Sequence, residues 1–207
     1  MTLGLTVDEV LTTTRAVRKR LDLERPVARE LIEECVEIAH QAPSGSNAQG
    51  WRWVFVDDPA KKAAIADLYR ANFFPYIGGR PEGTGPGDRI LDSAVHLAEH
   101  FQDVPVLAIP CIAGRLDEGT STFEQASVWG SIVPAVWSFM LALRERGLGS
   151  AWTTLTLPNE REVAEIVGIP FDRYTQAGLF PVAYTIGTDF KPGARVPAER
   201  FIHWNDW

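Results

Sequence analysis

Pro43-Ser44-Gly45-Ser46-Asn47-Ala48-Gln49, leading through Gly50 into Trp51-Arg52-Trp53-Val54-Phe55-Val56, is the stretch on which the fold turns. Its first half consists of turn formers, whose short polar side chains bond their own backbone and whose glycine takes conformations other residues avoid. Its second half is aromatic and β-branched, the composition of a strand. A helix therefore ends near Gln41, a compact polar loop follows, and a strand opens at Trp51. The loop gathers hydroxyls, amides and backbone N–H groups. Such a set can follow the polar edge of a heteroaromatic ring or a sugar-like chain, or be no more than a turn; the residues alone leave both open.

Upstream, Thr6 and Glu9 have capping-box spacing and open a helix to about Thr14. The basic run Arg15-Ala16-Val17-Arg18-Lys19-Arg20 follows. Pro26 then starts a helix in which Leu31, Cys35 and Ala39 recur beside Ile32 and Val36. Downstream, Pro59 begins a third helix carrying Ile65, Leu68 and Tyr69. Phe74 to Asp88 holds five glycines and three prolines and reads as a mobile loop. A helix from about Arg89 to Phe101 leads to a strand at Val104 to Ile112, whose Pro105 and Pro110 suit an edge or strand ends. A long helix spans about Phe123 to Arg146, punctuated by Gly147 and Gly149. Ala151 to Leu157 reads as a third strand, Pro158 starts a short helix to Val167, and Pro181 to Ile186 is a fourth strand before a tail ending at Trp207. Helices and strands mix without a regular βαβ repeat, which predicts an α+β fold.

The whole chain, residues 1–207, reads as a single domain. Its 207 residues, 45% hydrophobic and 23% charged, fit one sizeable core. A net charge of −7 argues against a nucleic-acid surface. Cys35 and Cys111 are the only cysteines and form no paired motif, so a reducing cytoplasm is the expectation. Asp8 and Glu9 come early without an apolar region, so no signal peptide is expected. Ala126 to Leu143 is an uncharged stretch of 18 residues, near bilayer length. Ser127, Gly130, Ser131, Pro134 and Ser138 dilute it, and it reads as a buried helix at a subunit interface rather than a membrane span.

Several clusters bear on chemistry. Arginine's planar fork suits phosphate, so the run from Arg15 to Arg20 can hold one, or can be a solvated patch. Ser127, Ser131, Pro134 and Ser138 form a stripe of small residues that admits another backbone, a flat ligand or a neighbouring helix, and Pro134 is expected to kink its helix. His96 and His100 stand one helical turn apart, but no third metal ligand is evident, and they read as a surface pair. Gly83, Gly85 and Gly87 do not open a dinucleotide loop. There is no nucleophile elbow, Walker loop or cysteine–histidine pairing, and a chain without them can still be an enzyme if a cofactor performs the difficult step.

The motifs in their order resemble the nitroreductase family. Thr14-Arg15-Ala16-Val17-Arg18, Pro26-Val27 and Ala42 through Trp51 resemble its opening; Gly130 to Ala135, Gly147 to Thr154, and Ile186-Gly187 with Arg195-Val196-Pro197 resemble its later part. The resemblance covers nearly the whole chain. It implies a nitroreductase-like α+β fold, a central mostly antiparallel sheet flanked by helices, in an intertwined homodimer with FMN at the subunit interface. It implies that Arg15, Ala16 and Arg18 lie at the flavin phosphate with Arg195 from the tail. Pro43, Ser44, Gly45 and Asn47 would contact the flavin across the interface, and Thr153, Thr154 and Leu155 would lie along its ring. NADH or NADPH would supply hydride, and a small acceptor, whether nitroaromatic, quinone or enone, would receive it. Phe73, Phe74 and Tyr76 would wall the acceptor pocket or simply pack. Relatives often have arginine at the place of Thr14, serine at Ala16 and proline at Gly50, which leaves Arg15, Arg18 and Arg195 with more of the phosphate. A flavin-binding protein that stores or senses FMN with little turnover is the alternative. Flavin-fragmenting and dehalogenating members share the scaffold, and no motif here selects them.

Overall fold

Short polar side chains write the helix starts. In the computed structural model, which describes residues 2–79 and 87–207, the Glu9 N–H donates to the Thr6 hydroxyl while the Thr6 N–H donates to the Glu9 carboxylate, opening α1 (Val7–Thr13) with the expected capping box. Asp58 accepts from the Lys61 N–H to start α3 (Pro59–Gly78). A second capping box, Ser121 with Glu124, starts α5 (Thr122–Glu145). The remaining described α-helices are α2 (Arg29–Ala39), α4 (Asp88–Glu99) and α6 (Glu160–Val167). Pro26 lies ahead of α2 rather than in its first turn. α5 runs through Pro134 as one helix.

The strands are β1 (Trp51–Val56), β2 (Val106–Ala113), β3 (Leu148–Ser150), β4 (Tyr174–Gln176) and β5 (Phe180–Tyr184). All their pairings are antiparallel, in the order β1-β2-β5-β3, with β4 beside the second half of β2. β2 is buried along nearly its whole length, and its side chains alternate between two half-cores, as the two-residue strand period requires. Leu107, Ile109 and Cys111 point to the face covered by α3, α4 and α6. Val106, Ala108 and Ile112 point to the face covered by α2 and α5. The fold is therefore α+β, with helices on both faces of a mostly antiparallel sheet.

Pro105 stands just ahead of β2, as expected of a strand end, but the expectation for Pro110 is corrected: it lies inside β2, which is central. Pro110 is tolerated because its carbonyl accepts from Ala177 N–H at 2.8 Å, so its backbone polar edge faces the gap between β4 and β5, and its missing N–H leaves no rung to β1 unfilled. The expected strand at Ala151 to Leu157 is also corrected. The strand lies at Leu148–Ser150, and Thr153 keeps only an isolated bridge to Leu179. Phe74 to Gly78 is helical rather than loop, since Phe73 stacks on Tyr69 and takes Phe74 edge-on; that packing outweighs Pro75 inside the helix. The rest of the expected loop, residues 80–86 with Gly83 and Gly85, lies outside the described residues.

α5 is long and apolar enough to cross a bilayer by length and composition. One side of it nevertheless buries Ile132, Ala135, Val136, Phe139 and Leu143 against α2 and the sheet. Phe139 is fully buried and meets Trp53 and Phe55 at ring distances of 5.0 and 6.0 Å. Phe139→Ala is expected to cost about 3–5 kcal/mol of stability, read as a lowered urea midpoint; an unshifted midpoint would mean that this half-core does not carry the sheet.

Candidate cofactor site

After α1 the chain turns extended and lies along β3. The Val17 N–H donates to the Ser150 carbonyl at 2.8 Å, and Ala16 bridges Ser150 in parallel. Gly149 makes this approach possible, because a Cβ there would stand 2.7 Å from the Thr185 methyl and 3.0 Å from Val17. Val17 and Leu21 go into the core, which turns the intervening basic side chains outward. They face α4 across a cavity of about 930 Å3, lined by Arg15, Arg18, Lys19, Arg20 and Arg89 against Asp92, the one acid among the described residues that line it.

These arginines differ in what they hold. Arg20 donates to the Ile186 carbonyl at 2.7 Å and pairs with Asp189 at 2.6 Å. Arg15 donates through Nη2 to the Lys191 carbonyl, while its Nε is buried without a partner. Arg18 has no hydrogen bond or ion pair among the described residues. A cationic cavity holding an arginine that no described carboxylate pairs fits an anionic group such as a phosphate.

A second cavity, of about 440 Å3, adjoins the first, the two having Arg18 and Ile90 as common walls. Tyr69, Phe73, Tyr76 and Ile77 from α3 wall one side, Leu91 and Ala94 from α4 another, and Trp152 to Leu155 the third. Burial pushes the Tyr69 phenol up to about 12, against the pull of Arg18, so that wall stays neutral. Thr153 is pinned: its hydroxyl donates to the Leu179 carbonyl at 2.6 Å, and the two backbones exchange hydrogen bonds at 2.9 and 3.2 Å. Next to it, the backbone N–H groups of Thr154 and Leu155 have no acceptor among the described residues. One end of the joined space is thus cationic and the other aromatic and apolar.

The polar loop stands apart. The Gly45 N–H donates to the Ser131 hydroxyl at 2.9 Å, that hydroxyl donates to the Ser127 carbonyl at 2.8 Å, and the Trp51 indole donates to the Ser131 carbonyl at 2.8 Å. A Cβ on Gly45 would meet the Ser127 hydroxyl at 3.0 Å. The small-residue stripe of α5 therefore serves to admit this loop. Ser46, Asn47 and Gln49 hold φ of 52°, 54° and 49°, left-handed values that side chains rarely adopt. Ser44 and Gly45 line a separate cavity of about 160 Å3.

Of the residues expected at a site, Arg15, Ala16, Arg18, Thr153, Thr154 and Leu155 gather along the two joined cavities. Pro43, Ser44, Gly45 and Asn47 do not line them, and Arg195 sits in the exposed tail, donating to the Ala194 carbonyl. Arg89, Ile90 and Trp152 went unnoticed in the sequence; Arg89 opens a helix after a Gly/Pro-rich stretch, a signal too general to single it out. His100 bonds Asp103, and no His/Cys/Asp/Glu group among the described residues could hold a metal. Burial pushes the Cys35 and Cys111 thiols up to about 11 and about 12, which removes them as nucleophiles.

A model of the nitroreductase family matches residues 11–184. An iodotyrosine deiodinase from Thermotoga neapolitana is 30% identical over 177 residues, 84% of this chain and 86% of that protein. An NADH dehydrogenase from Thermus thermophilus is 28% identical over 211 residues, 94% of this chain and 97% of that protein. Among solved structures, oxidized iodotyrosine deiodinase bound to FMN and 3-iodo-L-tyrosine superposes with a TM-score of 0.73 at 25% identity, covering 98% of this chain and 100% of that one.

Because the basic run keeps its register only through a bare Cα at position 149, Gly149→Ala is expected to cost about 1–3 kcal/mol by overpacking. The same variant should lose hydrogen-exchange protection at the Val17 amide. Unchanged protection would show that the run does not depend on this contact.

Proposed function

This chain belongs to the nitroreductase family, and we propose that it is a single-domain, cytoplasmic, FMN-dependent oxidoreductase working as a homodimer. The observation that carries the reading is the polarity of the joined cavities, cationic at one end and aromatic at the other, which matches a molecule with a phosphate at one end and a flat ring at the other. The FMN-bound relative supports the choice of cofactor.

Arg15 and Arg18, which no described carboxylate pairs, hold the phosphate beside Ala16, with Lys19 and Arg89 adding positive field and Arg195 brought in from the tail. The backbone N–H groups of Thr154 and Leu155, next to the pinned Thr153, face the ring. Pro43, Ser44, Gly45 and Asn47 are contributed by the second copy. When bound, FMN supplies two-electron chemistry, taking hydride from NADH or NADPH and reducing a small acceptor. The chain's own part is electrostatic and steric: fixed positive charge and N–H donors stabilise negative charge on the ring, and aromatic walls exclude water.

The walls also narrow the acceptor. Arg18 is the one charged side chain among the described residues that line the aromatic cavity. An amino acid such as the relative's 3-iodo-L-tyrosine would find no carboxylate among the described residues there for its ammonium. Flat acceptors without one, such as nitroaromatics, quinones and enones, suit the walls better. The homodimer is supported by apolar surface that one chain leaves open: Phe123 and Trp137 on α5, and Phe201, Trp204 and Trp207 on the tail.

Storage or sensing of FMN is the rival reading, favoured by one observation: the Thr14 hydroxyl is spent on the Val10 carbonyl at 2.7 Å and cannot donate to a phosphate. Purified protein is expected to release FMN on denaturation. Mixing with NADH or NADPH should bleach the flavin, and adding a quinone or nitroaromatic should restore its colour. Bound flavin that neither nucleotide bleaches would favour storage. Arg18→Ala should weaken FMN binding by roughly 1.5–3 kcal/mol; an unchanged dissociation constant would remove Arg18 from the phosphate site.

A further inference from the structure

Beneath the basic run lies a much smaller cavity of about 10 Å3, lined by Thr13, Arg15, Arg144, Ser150 and Phe190 among others. That volume admits one water-sized species. Arg144, in the last turn of α5, is only 6% exposed. Its Nε donates to the Thr13 hydroxyl at 3.2 Å and its Nη2 to the Thr188 carbonyl at 3.1 Å. Its Nη1 is buried with no partner. Ser150 is 3% exposed, and its hydroxyl is likewise buried and unpartnered. The orphaned Arg15 Nε is the third such atom. Three residues lining one small cavity thus each carry a buried polar group that bonds nothing.

The charge balance is equally one-sided. Both partners of Arg144 are neutral, and a buried guanidinium is costly without a counter-charge. Burial lowers its pKa, Glu145 opposes this, and Arg20 and Arg15 lower it further. The nearby carboxylates are engaged elsewhere. Glu145 accepts from the N–H groups of Gly4 and Leu5 at 2.7 and 3.1 Å, and Asp189 pairs with Arg20.

We propose that this cavity binds a single small anion of the halide class, held by Arg144 Nη1, Arg15 Nε and the Ser150 hydroxyl. Arginine nitrogens donate and never accept, so a cation has no ligands here. A water would satisfy the hydrogen bonds but leave the charge uncompensated. A phosphate or carboxylate is too large. The half-buried Arg15 is the wall that yields to an ion slightly bigger than water. Arg144 and Ser150 line neither of the two joined cavities, and the Arg15 Nε is buried, so the ion takes no N–H that the phosphate reading uses.

The test is thermal unfolding of the purified full chain, with bromide replacing gluconate at constant ionic strength. Bromide is expected to raise Tm by about 3–5 °C and to saturate. Ser150→Ala and Arg144→Gln should abolish the rise, whereas Arg18→Ala should keep it. Crystals grown with bromide should show anomalous density within hydrogen-bond reach of Arg144 Nη1. If Arg144→Gln does not fold, Ser150→Ala and the anomalous map decide. A Tm indifferent to the anion, a rise retained in Ser150→Ala, a rise lost only in Arg18→Ala, or a bromide-free water at the position would each overturn the proposal.

Discussion

The backbone of residues 16 and 17 lies against β3 at a distance only a bare Cα permits, and much of the architecture follows from that approach. With Gly149 beneath it, the chain takes an extended register in which Val17 and Leu21 enter the core and the basic side chains between them cannot. The same contact sets Ser150 under the run and Thr153 a short way along the same segment. The cationic and aromatic ends of the joined cavities are therefore fixed relative to each other by one stretch of backbone rather than by two independently folded parts.

The electrostatics fit this arrangement. The chain is acidic overall, at −7, yet its basic residues converge where the run meets α4. A positive cleft in a negative body draws anions while the surface as a whole stays soluble. The price is that guanidinium groups crowd together, and the start of the tail relieves part of it. Arg20, Arg144 and Arg15 each donate to a different carbonyl there, those of Ile186, Thr188 and Lys191. Phe190 packs its ring against Arg20 and Arg144. The tail thereby becomes part of the cationic wall.

Much of this was legible in the sequence, because local chemistry decided it. The capping box at Thr6 and Glu9, the strand from Trp51 to Val56 and the turn formers before it act over a few residues and need no distant partner. Where the reading missed, tertiary context won. Pro75 lies inside a helix because Tyr69, Phe73 and Phe74 stack their rings. Pro110 lies in a central strand because the neighbouring strands leave a gap at that rung. The segment after Ser150 looked like a strand because its residues favour one, but Thr153 finds only an isolated bridge. At the site, Arg15 and Arg18 could be singled out by the resemblance of their motif to that of the nitroreductase family. Arg144 could not, since a charged residue at a helix end looks like any surface residue until the tail buries it.

The left-handed residues Ser46, Asn47 and Gln49 carry one more consequence. Each such conformation costs on the order of 1 kcal/mol or more, and the bond from Gly45 to Ser131 and the one from Gln49 N–H to the Ser44 hydroxyl help hold them. The strain is met when the chain folds, not when something docks. The loop consequently offers a rigid template, and whatever settles against it forfeits little freedom in ordering it.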